Sequence, residues 1–189
     1  MVASTKTREA FDVAKESPEV REKYGKANED FLRARRLVEA GISVVTLVVG
    51  GWDTHGGNFT SLRDNLLPKL DQGFSALISD LHERGLNRDV AVILWGEFGR
   101  TPRVNASAGR DHWPRAGFAV MAGGNFNTAQ VIGETDARGE SPKGLSMNSS
   151  HVLTNLYQHL GVDPSITIPD NNGRPMYLLD ERDAVPGLV

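Results

Sequence analysis

Residues Ile42 to Val49 form a run of apolar β-formers, broken only by Ser43 and Thr46, and glycine-rich sequence follows at once. The nine residues Gly50-Gly51-Trp52-Asp53-Thr54-His55-Gly56-Gly57-Asn58 hold one acid, one imidazole and four glycines. A run apolar on both faces suits a buried parallel strand better than a half-wet antiparallel one. The glycines let the backbone turn where the strand ends. This pattern predicts that Asp53 and His55 stand at the carboxyl end of a strand, where open α/β sheets bind ligands.

The flanking segments read mainly as helices. A short helix is expected over residues 4–16. Ser17-Pro18 restarts the chain, with serine as N-cap and proline in the first turn, and Gly25 stops it. A third helix is expected from Asn28 to Ala40, with Phe31, Leu32, Leu37 and Val38 toward the core and Arg33, Arg35 and Arg36 on a solvated face. A long helical stretch follows from Thr60 to Arg84, kinked or divided at Pro68, with Leu70, Phe74, Leu77, Ile78 and Leu81 at helical spacing. Further strands are expected at Asp89–Trp95, Ala116–Met121 and Gln130–Ile132. The strand, helix, strand order predicts a right-handed parallel crossover. Ser149 or Ser150 caps a last helix that Gly161 ends, and the chain from Val162 reads as ordered coil that clasps the body.

Composition excludes several functions. The chain has 189 residues, enough for one domain with a core. It has no cysteine, so disulfides, thiolate metal sites and cysteine nucleophiles are ruled out. A net charge of −3 gives no reason to expect nucleic-acid binding. No apolar run approaches the ~20 residues needed to span a bilayer, and Met1 to Arg8 has no signal-peptide core. The expectation is a soluble chain.

Asp53 and His55 are two apart, so in an extended loop they point the same way. A carboxylate and an imidazole so placed suit one divalent ion, with zinc first and manganese, iron or calcium as alternatives. Glu97 follows the next expected strand and should share its rim. Arg110-Asp111-His112 brings a second acid–imidazole pair, and Arg100 and Arg110 offer guanidinium forks that match an oxyanion. Together these residues point to a metal-dependent site for a small oxyanion ester. The competing reading is a network of loop salt bridges. His151 and His159 lie eight apart on one helix, roughly 80° around its axis, so a shared metal is not expected there. Ser61, Ser75 and Ser79 have no nucleophile-elbow context.

The succession ARRLVEAG, WDTHGGN, LHERGL, LWGEFGRTP, GRDHWP, AGG, VIGETDARGE and LGVDP resembles the C-terminal half of a bacterial family of uncharacterised proteins, domain of unknown function 1501, placed among the sulfatases and alkaline phosphatases. The resemblance implies a three-layer α/β sandwich around a mostly parallel sheet, with metal ions at the strand ends. It implies hydrolysis of phosphate or sulfate esters through a Ser, Thr or formylglycine nucleophile. By position, Asp53, His55 and His112 resemble the ligands of one ion, and Glu97 stands where an aspartate of a second ion is expected. Arg100 or Arg110 would steady transition-state charge. Two departures are plain. Asp53 and His55 are closer together than the family pair in alkaline phosphatases, and Phe98 follows Glu97 where a histidine is usual.

The resemblance places the nucleophile in an N-terminal strand and loop, and nothing before Ile42 reads as that strand. The expected organisation is therefore one partial domain over 1–189, with a helical lead-in at 1–41 and a coil-rich tail at 162–189. Two functions follow: a metal-dependent ester hydrolase, or a non-catalytic metal-binding or structural module that retains the fold. A strand left unpaired would also favour a homo-oligomer formed through an exposed sheet edge. The resembled family is usually exported.

Overall fold

Helix caps written in the sequence set the first helices. The computed structural model describes residues 4–189. Helix α1 (Thr5–Ala10) is capped by Ser4, whose hydroxyl accepts from the Thr7 N–H, and a 3₁₀ turn follows at Val13–Lys15. Helix α2 (Pro18–Tyr24) starts as expected, with Ser17 accepting from the Val20 N–H and Pro18 in the first turn. Gly25, at φ 76°, ends it. Helix α3 spans Glu29–Glu39, with Glu29 and Asp30 at its positive end.

Helix α4 (Asn58–Ser61) runs through a π turn at Leu62–Leu66 into α5 (Leu67–Glu83). The Leu67 N–H reaches back to the Leu62 carbonyl, one residue wider than an α-helical bond. Pro68 supplies the reason: it has no N–H to continue the regular ladder. Helix α6 (Ser149–His159) is capped by Asn148 rather than by either serine, and His151 completes a reciprocal capping box.

The expected parallel sheet is not formed. Among the described residues the strands make four separate two-stranded antiparallel sheets. Strand β1 (Ala91–Trp95) continues into β2 (Gly99–Arg100). The chain returns through β3 (His112–Trp113) and β4 (Ala119–Gly123). Gly99 pairs with Trp113, Arg100 with His112, and Ala91 through Trp95 with Gly123 through Ala119. These are the two legs of one long hairpin. No helix lies between β1 and β4, and parallel pairing needs a crossover of that kind, so the alkaline-phosphatase-like three-layer sandwich is overturned. Gly99 permits the close return of the hairpin, since a Cβ there would lie 1.8 Å from the Ala116 carbonyl oxygen. Strands β5 (Glu134–Thr135) with β6 (Pro142–Lys143) and β7 (Thr167–Pro169) with β8 (Pro175–Tyr177) are short hairpins. The expected strand at 130–132 is absent. So is that at Ile42–Val49, which takes part in no ladder.

The chain divides into two compact units, Met1–Val90 with Arg103–Asp111, and Ala91–Pro102 with His112–Val189. The second unit has a core of Phe126, Val152, Val185 and Leu188, against which Ile93, Met121 and Ile132 pack. Its last residues are tied down by polar bonds. Asn155 accepts from the Val185 N–H at 2.8 Å, and the Asn127 N–H donates to the Leu188 carbonyl at 2.7 Å.

The first unit is built around a charge. Arg35, expected on a solvated face, is 1% exposed. Its Nη1 donates to Glu16 at 3.1 Å and to Glu39 at 2.5 Å. Its Nε lies 2.9 Å from Asp80, without the alignment of a directed hydrogen bond. Tyr24 Oη donates to Asp80 at 2.9 Å, and Arg84 Nε donates to the other oxygen of Asp80 at 2.7 Å. Helical spacing explains the reversal. Phe31, Leu32 and Leu37 place Arg35 on the buried stripe of α3, while Arg33 keeps about a third of its side chain in solvent.

Burial by itself would push the Asp80 carboxyl up, but hydrogen bonds from Arg84 and Tyr24 and the charges of Arg35 and Arg84 outweigh it and hold the group below the usual carboxylate range. Glu16 is likewise held low: burial raises it, and Arg35 and Arg36 more than offset that. A depressed carboxyl stabilises the fold above its unfolded pKa of about 4, and that stability is lost as pH falls through the folded value. Chemical denaturation from pH 7 to pH 3 should therefore show stability falling below about pH 4, with the fall reduced in Asp80→Asn. Arg35→Ala leaves three carboxylates around an empty position and should cost about 3–5 kcal/mol. Arg33→Ala should stay within about 0.5 kcal/mol of the parent.

Candidate functional site

Two buried side chains shape the loop that carries Asp53 and His55. Thr54 is 8% exposed and Asn58 3% exposed, and the Thr54 hydroxyl donates to Asn58 Oδ1. The Thr54 N–H bonds to the Trp52 carbonyl at 2.9 Å, and the His55 N–H to that of Asp53 at 3.2 Å. With Thr54 turned inward, its neighbours Asp53 and His55 turn outward, which is the alternation the spacing predicts. His55 Nε2 lies 2.9 Å from Asp53 Oδ1, and His55 Nδ1 lies 2.7 Å from Asp111 Oδ1. The imidazole is thus held between two carboxylates, both more than half exposed.

Residues 105–111 dock on this loop through the backbone. The Gly57 N–H donates to the Ser107 carbonyl at 3.0 Å, the Asn58 N–H to Ala108 at 2.9 Å, and the Arg110 N–H to Thr54 at 3.2 Å. Gly109 is required by contact, since a Cβ there would sit 1.9 Å from the His55 carbonyl oxygen. Ala108 is held at φ 53°, a left-handed conformation costing alanine roughly 1 kcal/mol or more.

Asn105 ties the arrangement together, and it was not among the expected site residues. Its Nδ2 donates to the His55 carbonyl at 3.0 Å and to Asp111 Oδ1 at 3.2 Å. Its Oδ1 accepts from the N–H groups of Ser107 at 3.0 Å and Gly109 at 2.9 Å. The signal available in the sequence was an asparagine four residues before a glycine, a common turn pattern.

Asp53, His55 and His112 form a group in which one ligand atom from each lies within 4.8 Å of the others. Asp111, next to His112 in the chain, meets His55 through its other ring nitrogen. His112 stands opposite Arg100 in the β2–β3 pair, its ring centroid 4.3 Å from that of Phe98. Phe98 therefore supplies an apolar wall where the resemblance led one to expect a histidine. Arg100 lies over the Phe98 ring at 5.9 Å, and Arg110 over the Phe59 ring at 5.4 Å. Glu97 lies exposed in the turn between β1 and β2 and is not a member of the group.

Over residues 2–189 the sequence matches a family described as "Protein of unknown function (DUF1501)". The chain belongs to this family. No curated protein and no solved structure matches it. The family description names no activity, so the chemistry of the site rests on its own residues.

Asn105→Ala removes four hydrogen bonds from a half-exposed loop and should cost about 1–3 kcal/mol in urea unfolding. Gly109→Ala should cost as much or more, because the atom it meets is backbone and cannot swing aside. If both variants unfold like the parent, the docking of 105–111 on 54–58 is wrong.

Proposed function

We propose that this DUF1501 chain is a metal-binding domain that holds one divalent ion through Asp53, His55 and His112. The observation that carries the reading is the clamp on His55. Asp111 takes Nδ1 and leaves Nε2 on the side of Asp53. A ligating histidine commonly donates its other ring N–H to a carboxylate in this way, which fixes the tautomer and the ring direction. On this reading Asp111 orients His55 rather than binding the ion. One carboxylate and two imidazoles suit zinc best, with manganese or iron next and calcium the poorest fit.

The resemblance to sulfatases and phosphatases extends the proposal to a bacterial hydrolase-like protein acting on phosphate or sulfate esters. Bound at this site, the ion would supply Lewis-acid polarisation of an ester oxygen. Arg110, steadied over Phe59, and Arg100, over Phe98, are the guanidinium groups proposed to meet the oxyanion. Glu97 is the proposed general base or ligand of a second ion. The Thr54 hydroxyl is buried and donates to Asn58, so it is not the nucleophile in this reading. Phe98, standing where the resemblance expects a histidine, favours the second reading, a module that binds metal without catalysing ester cleavage.

Metal analysis of protein purified without chelator tests the site. We expect close to one equivalent of ion, lost in the double variant His55→Ala with His112→Ala and bound about 10–100-fold more weakly in Asp111→Asn. Affinity should fall as pH is lowered, because a ligating imidazole must be neutral and protons compete with the ion for it. Less than about a tenth of an equivalent, with no uptake on dialysis against zinc, contradicts the proposal. Aryl phosphates and aryl sulfates separate the two readings: turnover lost with Arg110→Ala supports the hydrolase, and no turnover by metal-loaded protein supports the module.

A further inference from the structure

The side-chain amide of Asn105 has no hydrogen-bonding capacity left over. It offers two N–H donors and one oxygen with two lone pairs, and all four are taken up. Oδ1 accepts from the N–H groups of Ser107 and Gly109, at 3.0 and 2.9 Å, and so shapes the turn. Nδ2 donates to the His55 carbonyl at 3.0 Å and to Asp111 Oδ1 at 3.2 Å. The Asn105 main chain closes the same turn. Its N–H donates to the Gly109 carbonyl at 2.9 Å, and its carbonyl accepts from the Ala108 N–H at 3.1 Å. All of these groups lie in the first unit. A planar amide held at both ends cannot swing without breaking the turn.

The oxygen that Asn105 holds is the one that meets the imidazole: Asp111 Oδ1 lies 2.7 Å from His55 Nδ1. The Asp111 and His55 side chains are 53% and 46% exposed. At such exposure an ion pair alone fixes geometry poorly, because its small gain is set against the entropy of two side chains. Asn105 is only partly exposed and supplies the missing constraint. We propose that Asn105 is a positioning residue for the metal site. By fixing Asp111 Oδ1 it sets the direction of His55 Nε2, and so, on the metal reading above on which this rests, it sets the affinity for the ion. The strain at Ala108, φ 53°, belongs to the turn that aims this amide, and such strain gathers at ligand sites.

Zinc affinity of the full chain, measured by competition titration in a double-mutant cycle of Asn105→Ser with Asp111→Ala, tests it. Serine still accepts from an N–H two residues on, as in an ST-turn, but is too short to reach His55 or Asp111. Asn105→Ser should bind zinc about tenfold more weakly than the parent. In the Asp111→Ala background the same substitution should change affinity by less than about twofold, because the group it acts through is gone. Asn105→Asp separates position from charge. It keeps both acceptor bonds of the turn but sets a carboxylate oxygen against Asp111. It weakens zinc binding if position governs, and strengthens it if added negative charge governs. Parent affinity in Asn105→Ser, an equal loss in both backgrounds, or tighter binding by Asn105→Asp overturns the proposal while the metal site stands. A parent chain that takes up no zinc overturns both. Circular dichroism checks that each variant is folded, and if Asn105→Ser is not, the Asn105→Asp result decides.

Discussion

The first unit depends on a buried guanidinium. Arg35 is fully enclosed, yet three carboxylates from three separate segments converge on it: Glu16, Glu39 and Asp80. Glu16 lies just before α2, Glu39 ends α3, and Asp80 sits near the end of α5. A charge taken out of water costs several kcal/mol, so it persists only where the partners are fixed. Arg84 and Tyr24 fix them, by bonding Asp80 from two further sides. The apolar face of α3 keeps water out, with Leu32 and Tyr24 both at 0% exposure. Packing and charge thus specify one arrangement of α2, α3 and α5.

That arrangement holds the helix that leads to the candidate site. Helix α5 continues back through the π turn to α4, whose first residue, Asn58, binds both Thr54 and the Ala108 carbonyl. From this anchor the loop is determined residue by residue. Thr54 turns in, Asp53 and His55 turn out, Gly109 lets residues 105–111 lie against the His55 backbone, and Asn105 joins the two loops. The acid–imidazole cluster remains open to solvent, where exposed ion pairs contribute about 0–1 kcal/mol each to stability.

The sequence made the helices legible because their signals are local. Ser17-Pro18, Gly25, Asn28 and Gly161 mark ends that stay close to where they were expected, and Pro68 marks the distorted turn. The pairing of Asp53 with His55, and the nearness of His112, followed from spacing and resemblance. The sheet was not legible. Strand pairing is a long-range property, and an apolar run such as Ile42–Val49 fits a buried parallel strand and an unpaired one alike. The hairpin from Ala91 to Gly123 was concealed because its turn residues, 101–111, are spent on docking rather than on a tight turn. Arg35 was misread for a related reason: residue type argued for solvent, while its position on the stripe of Phe31, Leu32 and Leu37 argued for burial. Asn105 was missed because its role depends on backbone groups that only the fold brings near.

X-ray absorption on the zinc-loaded chain tests the central claim most directly, because it reads the ligand atoms themselves. The account predicts a four-coordinate ion with nitrogen and oxygen neighbours at about 2.0–2.1 Å and the outer-shell scattering of two imidazole rings, falling to one ring in His112→Ala. An all-oxygen shell without imidazole scattering, or zinc that washes away on desalting, would contradict it.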